Sequence, residues 1–181
     1  MNPARLFYRT HQFWQALSVK PGEAELEQAA RLLSPAQQAL FFRLQQAEQA
    51  HSLRILRHLM DQGECHPDLL AAALLHDVGK TLFPLKLRER VWIVLAHAFW
   101  PGWAKEWGAS SGPFDPTWPA WRKALVIASQ HARWGADLAA QSGSSPLAVE
   151  LIRRHQEKLA GAPQNLAELL LQKLQAVDNE S

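Results

Sequence analysis

A histidine and an aspartate, His76 and Asp77, stand side by side directly after an apolar segment, Leu69 to Leu75. Burying a charged carboxylate costs free energy unless a cation compensates for the lost hydration, and a metal ion is the usual partner. Imidazole beside carboxylate is a mixed nitrogen and oxygen ligand set that suits Zn, Mn, Fe or Co. Gly79 would let the backbone turn sharply after the pair, and Lys80 would direct a cation at an anionic substrate. The doublet alone is a weak signal, because most such pairs are surface or capping residues.

Three more histidines and one aspartate are spaced so that helices could bring them to the doublet. His51 lies on the apolar stripe of a predicted helix. His131 is predicted to begin a helix, and Gly135 after it would permit close helix approach. His155 and Asp178 fall at predicted helix ends. Bundles build dinuclear carboxylate–histidine sites from such positions, although each residue taken alone is more often a hydrogen-bonded or solvated side chain than a ligand. The remaining histidines are interpreted as structural or surface residues: His11, His58, His66 and His97.

The elements that must position these residues are predicted to be helices, in a single all-α domain. Leu, Ala, Gln and Glu are plentiful, and no clear period-two stretch is present. Ser34, Pro35 and Gln37 together form a strong helix start signal. The predicted helices cover residues 3–17, 21–33, 34–62, 67–75, 85–99, 118–130, 131–141, 146–156 and 165–177.

Two regions of the domain are distinguished by position and composition. Residues 1–34 are predicted to be an N-terminal helical extension packed on the bundle, and residues 35–181 to be the bundle itself. Residues 99–119 are predicted to form a Trp-rich loop or lid containing a short helix. The tryptophans there and nearby favour a satellite core; stacking on a nucleobase, or contact with a partner or a membrane surface, are the alternatives. They are Trp100, Trp103, Trp107, Trp118 and Trp121.

Composition limits the classes of function. The chain has 181 residues, 48% apolar and 20% charged, which suits one ordinary domain. A net charge of +2 without a dense Lys/Arg block indicates no nucleic-acid partner, but it allows a small phosphorylated one. The single cysteine, Cys65, excludes an intrachain disulfide. No signal-peptide pattern and no apolar run of roughly 20 residues is present, so a cytoplasmic protein without a membrane span is expected. Oligomeric state stays open.

The ordered set of residues resembles the HD-domain metal-dependent phosphohydrolases from about residue 40 to residue 178. The stretch around His51 is similar to the family's first-histidine helix, and residues 73–80 (ALLHDVGK) are very close to its core motif. Residues 174–178 (LQAVD) are similar to its closing aspartate segment. The segments beginning at His131 and ending at His155 are similar to the two that dinuclear members add.

The resemblance implies an HD-type helical bundle that holds divalent metal ions, two in number, drawn from Fe, Mn, Co, Ni, Zn and Mg. The implied ligands are His51, His76, Asp77, His131, His155 and Asp178. Asp77 would bridge both ions, His131 and His155 would complete one of them, and Lys80 would stabilise charge on phosphoryl oxygens. The implied reaction is attack of a metal-bound hydroxide on a phosphoester or phosphoanhydride of a nucleotide or another small phosphorylated substrate.

Two departures from the family pattern narrow this expectation. Many dinuclear members carry paired histidines where this chain has His155 and Gln156, and the Gly-Tyr-Pro signature of the cyclic-dinucleotide branch is absent. These departures weaken a third metal and a cyclic dinucleotide substrate. The alternative function is a non-catalytic regulatory module that binds metal and nucleotide. The complete ligand set favours the enzyme.

Overall fold

The computed structural model describes residues 21–159 and 161–180, and these residues form a helical bundle without β-strands. The all-α prediction is confirmed. The helices are α1 Glu23–Leu32, α2 Pro35–Phe41, α3 Gln46–Asp61, α4 Pro67–Leu75, α5 Leu87–Phe99, α6 Pro101–Gly108, α7 Ala120–Gln141, α8 Pro146–Arg154 and α9 Leu166–Glu180, with a 3-10 turn at Val78–Leu82. The predicted helix over residues 3–17 and His11 lie outside the described residues. No helix in these two ranges is long and apolar enough to cross a membrane.

The predicted helix over residues 34–62 is instead two helices, α2 and α3. Its start is as predicted, because the Ser34 hydroxyl accepts a hydrogen bond from the backbone N–H of Gln37. The chain then leaves the helical path after Phe41. The buried side-chain amide of Gln49 donates to the carbonyl of Leu44 at 3.0 Å, so a carbonyl released by the break keeps a partner. Phe41 and Leu44 are both buried in the core on either side of the break.

The predicted boundary between residues 130 and 131 is also wrong, because α7 runs unbroken from Ala120 to Gln141. No proline or glycine interrupts the sequence there, and the buried face continues through the junction with Ile127, His131 and Trp134. His131 therefore lies in the middle of a long helix rather than at its start. A helix interior holds a side chain at a better-defined position than a helix end does.

The main core surrounds α4. All residues from Leu69 to Leu75 are buried, so this helix is covered on every side by α3, α8, α9 and the two N-terminal helices. Ala29 of α1 and Leu33 after it belong to the same core cluster. A second cluster under α5 and the start of α7 contains Leu85, Ala124, Val126, Ile127 and Trp134. The central position of α4 determines where its C-terminal residues end up.

The Trp-rich segment contains the predicted short helix, α6, followed by irregular chain to residue 119. Ala104 of α6 is buried against Ala96 of α5 and Leu125 of α7. A small satellite core therefore lies under this segment, but the tryptophans do not build it as predicted. Trp118 packs on the second cluster, and Trp100, Trp103, Trp107 and Trp121 are exposed.

Candidate metal centre

The doublet lies where α4 ends and the 3-10 turn begins. Pro67 opens α4 and His66 caps it, and His76 is its C-terminal cap. Because α4 is buried throughout, the two residues after it are buried as well, with His76 1% and Asp77 3% exposed. The side chains that could do chemistry are therefore held at the centre of the bundle.

Two glycines bring α7 against the doublet. The chain turns directly after the doublet, as expected, in a 3-10 turn that contains Gly79, although Gly79 does not have a positive φ. A Cβ atom on Gly79 would lie 2.0 Å from the His131 carbonyl oxygen and 2.8 Å from the Gly135 nitrogen. A Cβ on Gly135 would lie 3.0 Å from the Gly79 nitrogen, so the close approach expected at Gly135 is confirmed. The backbone of the 3-10 turn is therefore in direct contact with the backbone of α7, and this contact places His131 beside Asp77.

One group of potential ligands combines α3, the end of α4 and α9. Ligand atoms of His51, His76 and Asp178 all lie within 4.8 Å of one another. His51 Nε2 is 2.9 Å from Asp178 Oδ1, and His76 Nε2 is 3.9 Å from the same oxygen. His51 and Asp178 are half-buried, so this group faces the protein surface.

A second group lies deeper and combines the 3-10 turn, α7 and the end of α8. Its members, Asp77, His131 and His155, are all buried, and their ligand atoms again lie within 4.8 Å of one another. His131 Nε2 is 3.2 Å from Asp77 Oδ1. The His155 ring centroid is 5.1 Å from that of His76, so the two groups adjoin.

Asp77 faces both groups through different oxygens. Its Oδ1 atom faces His131, while its Oδ2 atom lies 3.5 Å from His76 Nε2. Lys80 Nζ donates a hydrogen bond to Oδ2 at 2.6 Å. A carboxylate placed between two sets of nitrogen donors has the arrangement that a bridging ligand needs.

In each of the three buried histidines, the Nδ1 atom is hydrogen-bonded to a backbone carbonyl, which leaves Nε2 to face the site. Each Nδ1 is within hydrogen-bond distance of a carbonyl: His76 with Ala73 at 3.0 Å, His131 with Ile127 at 2.9 Å and His155 with Ile152 at 2.7 Å. A carbonyl can only accept, so Nδ1 carries the proton and Nε2 of the neutral ring keeps its lone pair. Metal-binding histidines commonly show this arrangement. His76 Nε2, although buried, has no hydrogen-bond partner among residues 21–159 and 161–180, which fits a ligand for a cation.

Burial holds the rings of His76 and His155 in the neutral form that a metal requires. Desolvation lowers the pKa of His76 and outweighs the attraction of Asp77 and Asp178. Burial, with the neighbouring His76 and His131 rings, lowers the pKa of His155 to about 3. Near neutral pH both side chains therefore present an unprotonated Nε2.

The two carboxylates are held in the charged form. Burial alone would raise the pKa of Asp77, but the ammonium group of Lys80 outweighs it and keeps that pKa well below its usual range. At Asp178 burial also opposes ionisation, and the hydrogen bond with His51 outweighs it and lowers the pKa. A buried anion surrounded by neutral nitrogen donors attracts divalent cations.

All six predicted ligands and Lys80 are thus brought together by the structure. Two features of the site have no counterpart in the predictions: the backbone carbonyls that orient the rings, and the contact between Gly79 and α7. A carbonyl three or four residues before a histidine leaves no mark in the sequence. The glycine at position 135 was a usable signal, but its partner lies far away along the chain.

Neither a protein-family model, nor a curated protein, nor a solved structure matches this chain. The geometry of the six side chains is accordingly the observation from which a function is inferred.

Proposed function

We propose that this chain is a metal-dependent phosphohydrolase of the HD-domain type, acting on a phosphoester or phosphoanhydride of a nucleotide or another small phosphorylated compound. The observation that carries the proposal is the pair of three-residue ligand groups meeting at one buried doublet, His76 and Asp77. A structural ion needs only one such group. Two adjoining groups with a shared carboxylate are typical of hydrolytic dinuclear sites.

The chain's own residues fit two divalent ions. His51, His76 and Asp178 would hold one, His131 and His155 would hold the other, and Asp77 would offer an oxygen to each. Divalent ions in these positions would supply a water-derived nucleophile at neutral pH and neutralise charge on the phosphoryl oxygens.

Lys80 completes the proposed site on the substrate side. Its side chain is about a quarter exposed, while its ammonium group reaches the buried Asp77. It would hold a positive charge beside the phosphoryl group and so orient an anionic substrate over the ligands. The lowered pKa values of the two carboxylates mean that both stay ionised across the neutral range, and neither is available as a proton donor there.

The test pairs metal content with turnover. Purified protein reconstituted with Mn is expected to contain about two ions per chain and to release phosphate or nucleotide from at least one compound in a panel. The panel holds nucleoside mono- and triphosphates, dinucleoside polyphosphates and bis(p-nitrophenyl) phosphate. Asp77→Asn is expected to lose both metal and turnover, whereas Asp61→Asn, at an exposed position on α3, should lose neither.

Other outcomes separate the alternatives. Two bound ions without turnover on any panel member would contradict the hydrolase and favour the non-catalytic module. Turnover that persists in Asp77→Asn with unchanged metal content would place the chemistry elsewhere.

A further inference from the structure

Most of the exposed large apolar side chains in the described part of the chain lie between positions 87 and 121. They are Leu87, Val91, Val94, Leu95, Phe99, Trp100, Trp103, Trp107 and Trp121, called the aromatic face below. Phe99 is 68% exposed and Trp100 57%. Isolated exposed apolar residues are ordinary, but a concentration on adjoining elements marks an interaction surface.

Helix α5 is apolar on two opposite sides. Its inner side packs Ile93 and Ala96 against the satellite core. Leu87, Val91 and Val94 recur at helical spacing on the outer side and are exposed. An amphipathic surface helix has polar residues on its outer side, so α5 has a second apolar side with no described element over it.

The tryptophans extend this surface onto α6 and the start of α7. Trp103 stacks on Trp121 with ring centroids 5.2 Å apart, and Trp107 meets Trp121 edge-on at the same distance. Trp92 of α5 contacts Trp103 at 5.9 Å, which joins the two helices. These rings support one another and form a rigid aromatic platform rather than separate side chains.

The charges around the aromatic face are mainly positive. Residues 83–123 contain six Lys and Arg and three Asp and Glu. Arg90 is mostly buried and paired with Glu48 of α3, so five positive and three negative charges remain, a formal charge of +2. Of the three acidic residues, Glu89 is buried and paired with Arg88. Lys86, Arg88 and Lys105 are exposed beside the apolar side chains. Two copies joined through this face would bring like charges together, whereas an anionic surface complements it.

We propose that the aromatic face docks this protein on an anionic lipid surface, with the tryptophans and Phe99 at the level of the headgroups and the exposed lysines and arginines on lipid phosphates. Tryptophan favours this interface, because its ring is apolar and its N–H is polar. Basic side chains flanking an apolar helix face add electrostatic attraction to acidic lipids. The protein would lie on the surface, since no described helix can cross it.

The first test is co-sedimentation with vesicles of phosphatidylcholine, with and without phosphatidylglycerol. The full chain is expected to sediment with the phosphatidylglycerol vesicles, and binding should weaken as salt is added. The double variant Phe99→Ser/Trp100→Ser is expected to bind about tenfold more weakly, because its two most exposed aromatic contacts are gone. The matched control is Leu166→Ser/Leu169→Ser, which removes two exposed apolar side chains of α9 and should bind like the unchanged chain.

A charge variant tests the electrostatic part separately. Lys86→Glu/Lys105→Glu should lose binding to phosphatidylglycerol vesicles, while Arg31→Glu, at an exposed position on α1, should keep it. Metal content is measured for every variant and should not change, which shows that the bundle is intact.

Three results would overturn the proposal. The first is that the full chain does not sediment with phosphatidylglycerol vesicles. The second is that the Phe99→Ser/Trp100→Ser variant binds these vesicles as strongly as the control variant does. The third is that the full chain binds vesicles equally with and without phosphatidylglycerol. Light scattering tests the alternative that a second copy of the chain binds this face. If the unchanged chain is a dimer that does not bind vesicles, and Phe99→Ser/Trp100→Ser is a monomer, the face is a dimer interface.

Discussion

At the scale of single residues, Asp77 lies between the two groups of potential ligands, with one oxygen facing His131 and the other facing His76. His155 belongs to the deeper group and not to the group of His51, His76 and Asp178. Removing it should therefore affect one ion and spare the other.

We expect His155→Gln to lower the metal content from about two ions per chain to about one, with at least a tenfold loss of turnover, since second ions in such sites carry much of the charge stabilisation. The measurement is elemental analysis after dialysis, with His97→Gln on the exposed side of α5 as the control. If His155→Gln still held two ions, the assignment of this residue to the deeper group would be wrong.

The depressed pKa values make a prediction about acid stability of the chelator-treated protein. His155 titrates at about 3 in the folded chain against an ordinary value of 6.5, so the unfolded chain binds more protons between these values. The free energy of unfolding should therefore fall as the pH drops below about 6.5, by up to ~1.4 kcal/mol per pH unit for this residue. The lowered pKa of His76 acts in the same direction.

Asp77 and Asp178 add to the same trend at lower pH. Their folded pKa values lie below 3.8, so their contribution is present above that value and is lost as the pH falls through the folded values. Urea unfolding between about pH 7 and about pH 5 measures the histidine part of the slope. His155→Gln should show a shallower slope, and a flat profile for the unchanged chain would contradict neutral buried histidines.

At the scale of elements, the crossing of the 3-10 turn over α7 controls the distance between the doublet and His131. Gly79→Ala would place a methyl group against the His131 carbonyl and the Gly135 nitrogen, both of them backbone atoms that cannot rotate away. We expect a loss of about 1–3 kcal/mol in the free energy of unfolding together with weaker binding of the deeper ion.

The control for this substitution is Gly102→Ala in α6, where the added atom meets nothing within 4 Å. That change should be neutral or slightly stabilising, because alanine restricts the unfolded chain more than glycine does. Chemical unfolding and metal titration of both variants give the comparison. Equal stability of the two would show that the turn and α7 can separate at little cost.

How far the sequence predicts these elements depends on whether the information is local. The apolar run from Leu69 to Leu75 predicts a buried helix and therefore a buried doublet, and the structure agrees. The break after Phe41 is local but carries no recognisable signal, because neither proline nor glycine marks it and the contact from Gln49 to the Leu44 carbonyl has no distinctive sequence pattern. The boundary predicted before His131 is wrong although the sequence held a local signal against it, since no proline or glycine interrupts the chain there and the apolar spacing continues. The residue types of the potential ligands are visible in the sequence, whereas the orientation of the histidine rings by backbone carbonyls is not.

At the scale of the whole molecule, the six potential metal ligands come from positions 51 to 178 and from five separate places in the fold. These places are α3, the junction after α4, α7, the end of α8 and α9. Metal ions held by all of them would link distant parts of the chain. Since the unfolded chain cannot assemble these groups, binding should stabilise the fold by mass action.

We expect added Mn to raise the unfolding midpoint of the chelator-treated protein, with about 2.7 kcal/mol gained at a free concentration one hundred times the dissociation constant. Differential scanning calorimetry measures the shift. Asp77→Asn should show little or no shift, and His97→Gln should behave like the unchanged chain. A midpoint unaffected by Mn, Fe, Co, Ni, Zn and Mg alike would argue against metal binding by the folded protein.

The contact between Gly79 and Gly135 also bears on how this sequence can vary over generations. A side chain that clashes with another side chain can be accommodated by a compensating change in its neighbour, but here each glycine meets main-chain atoms that every amino acid has. A substitution at one of these glycines therefore cannot be compensated by a substitution at the other. In a library randomised at both positions and selected for retained metal binding, glycine should return at position 79 almost without exception, and the two positions should show no exchange of large for small residues.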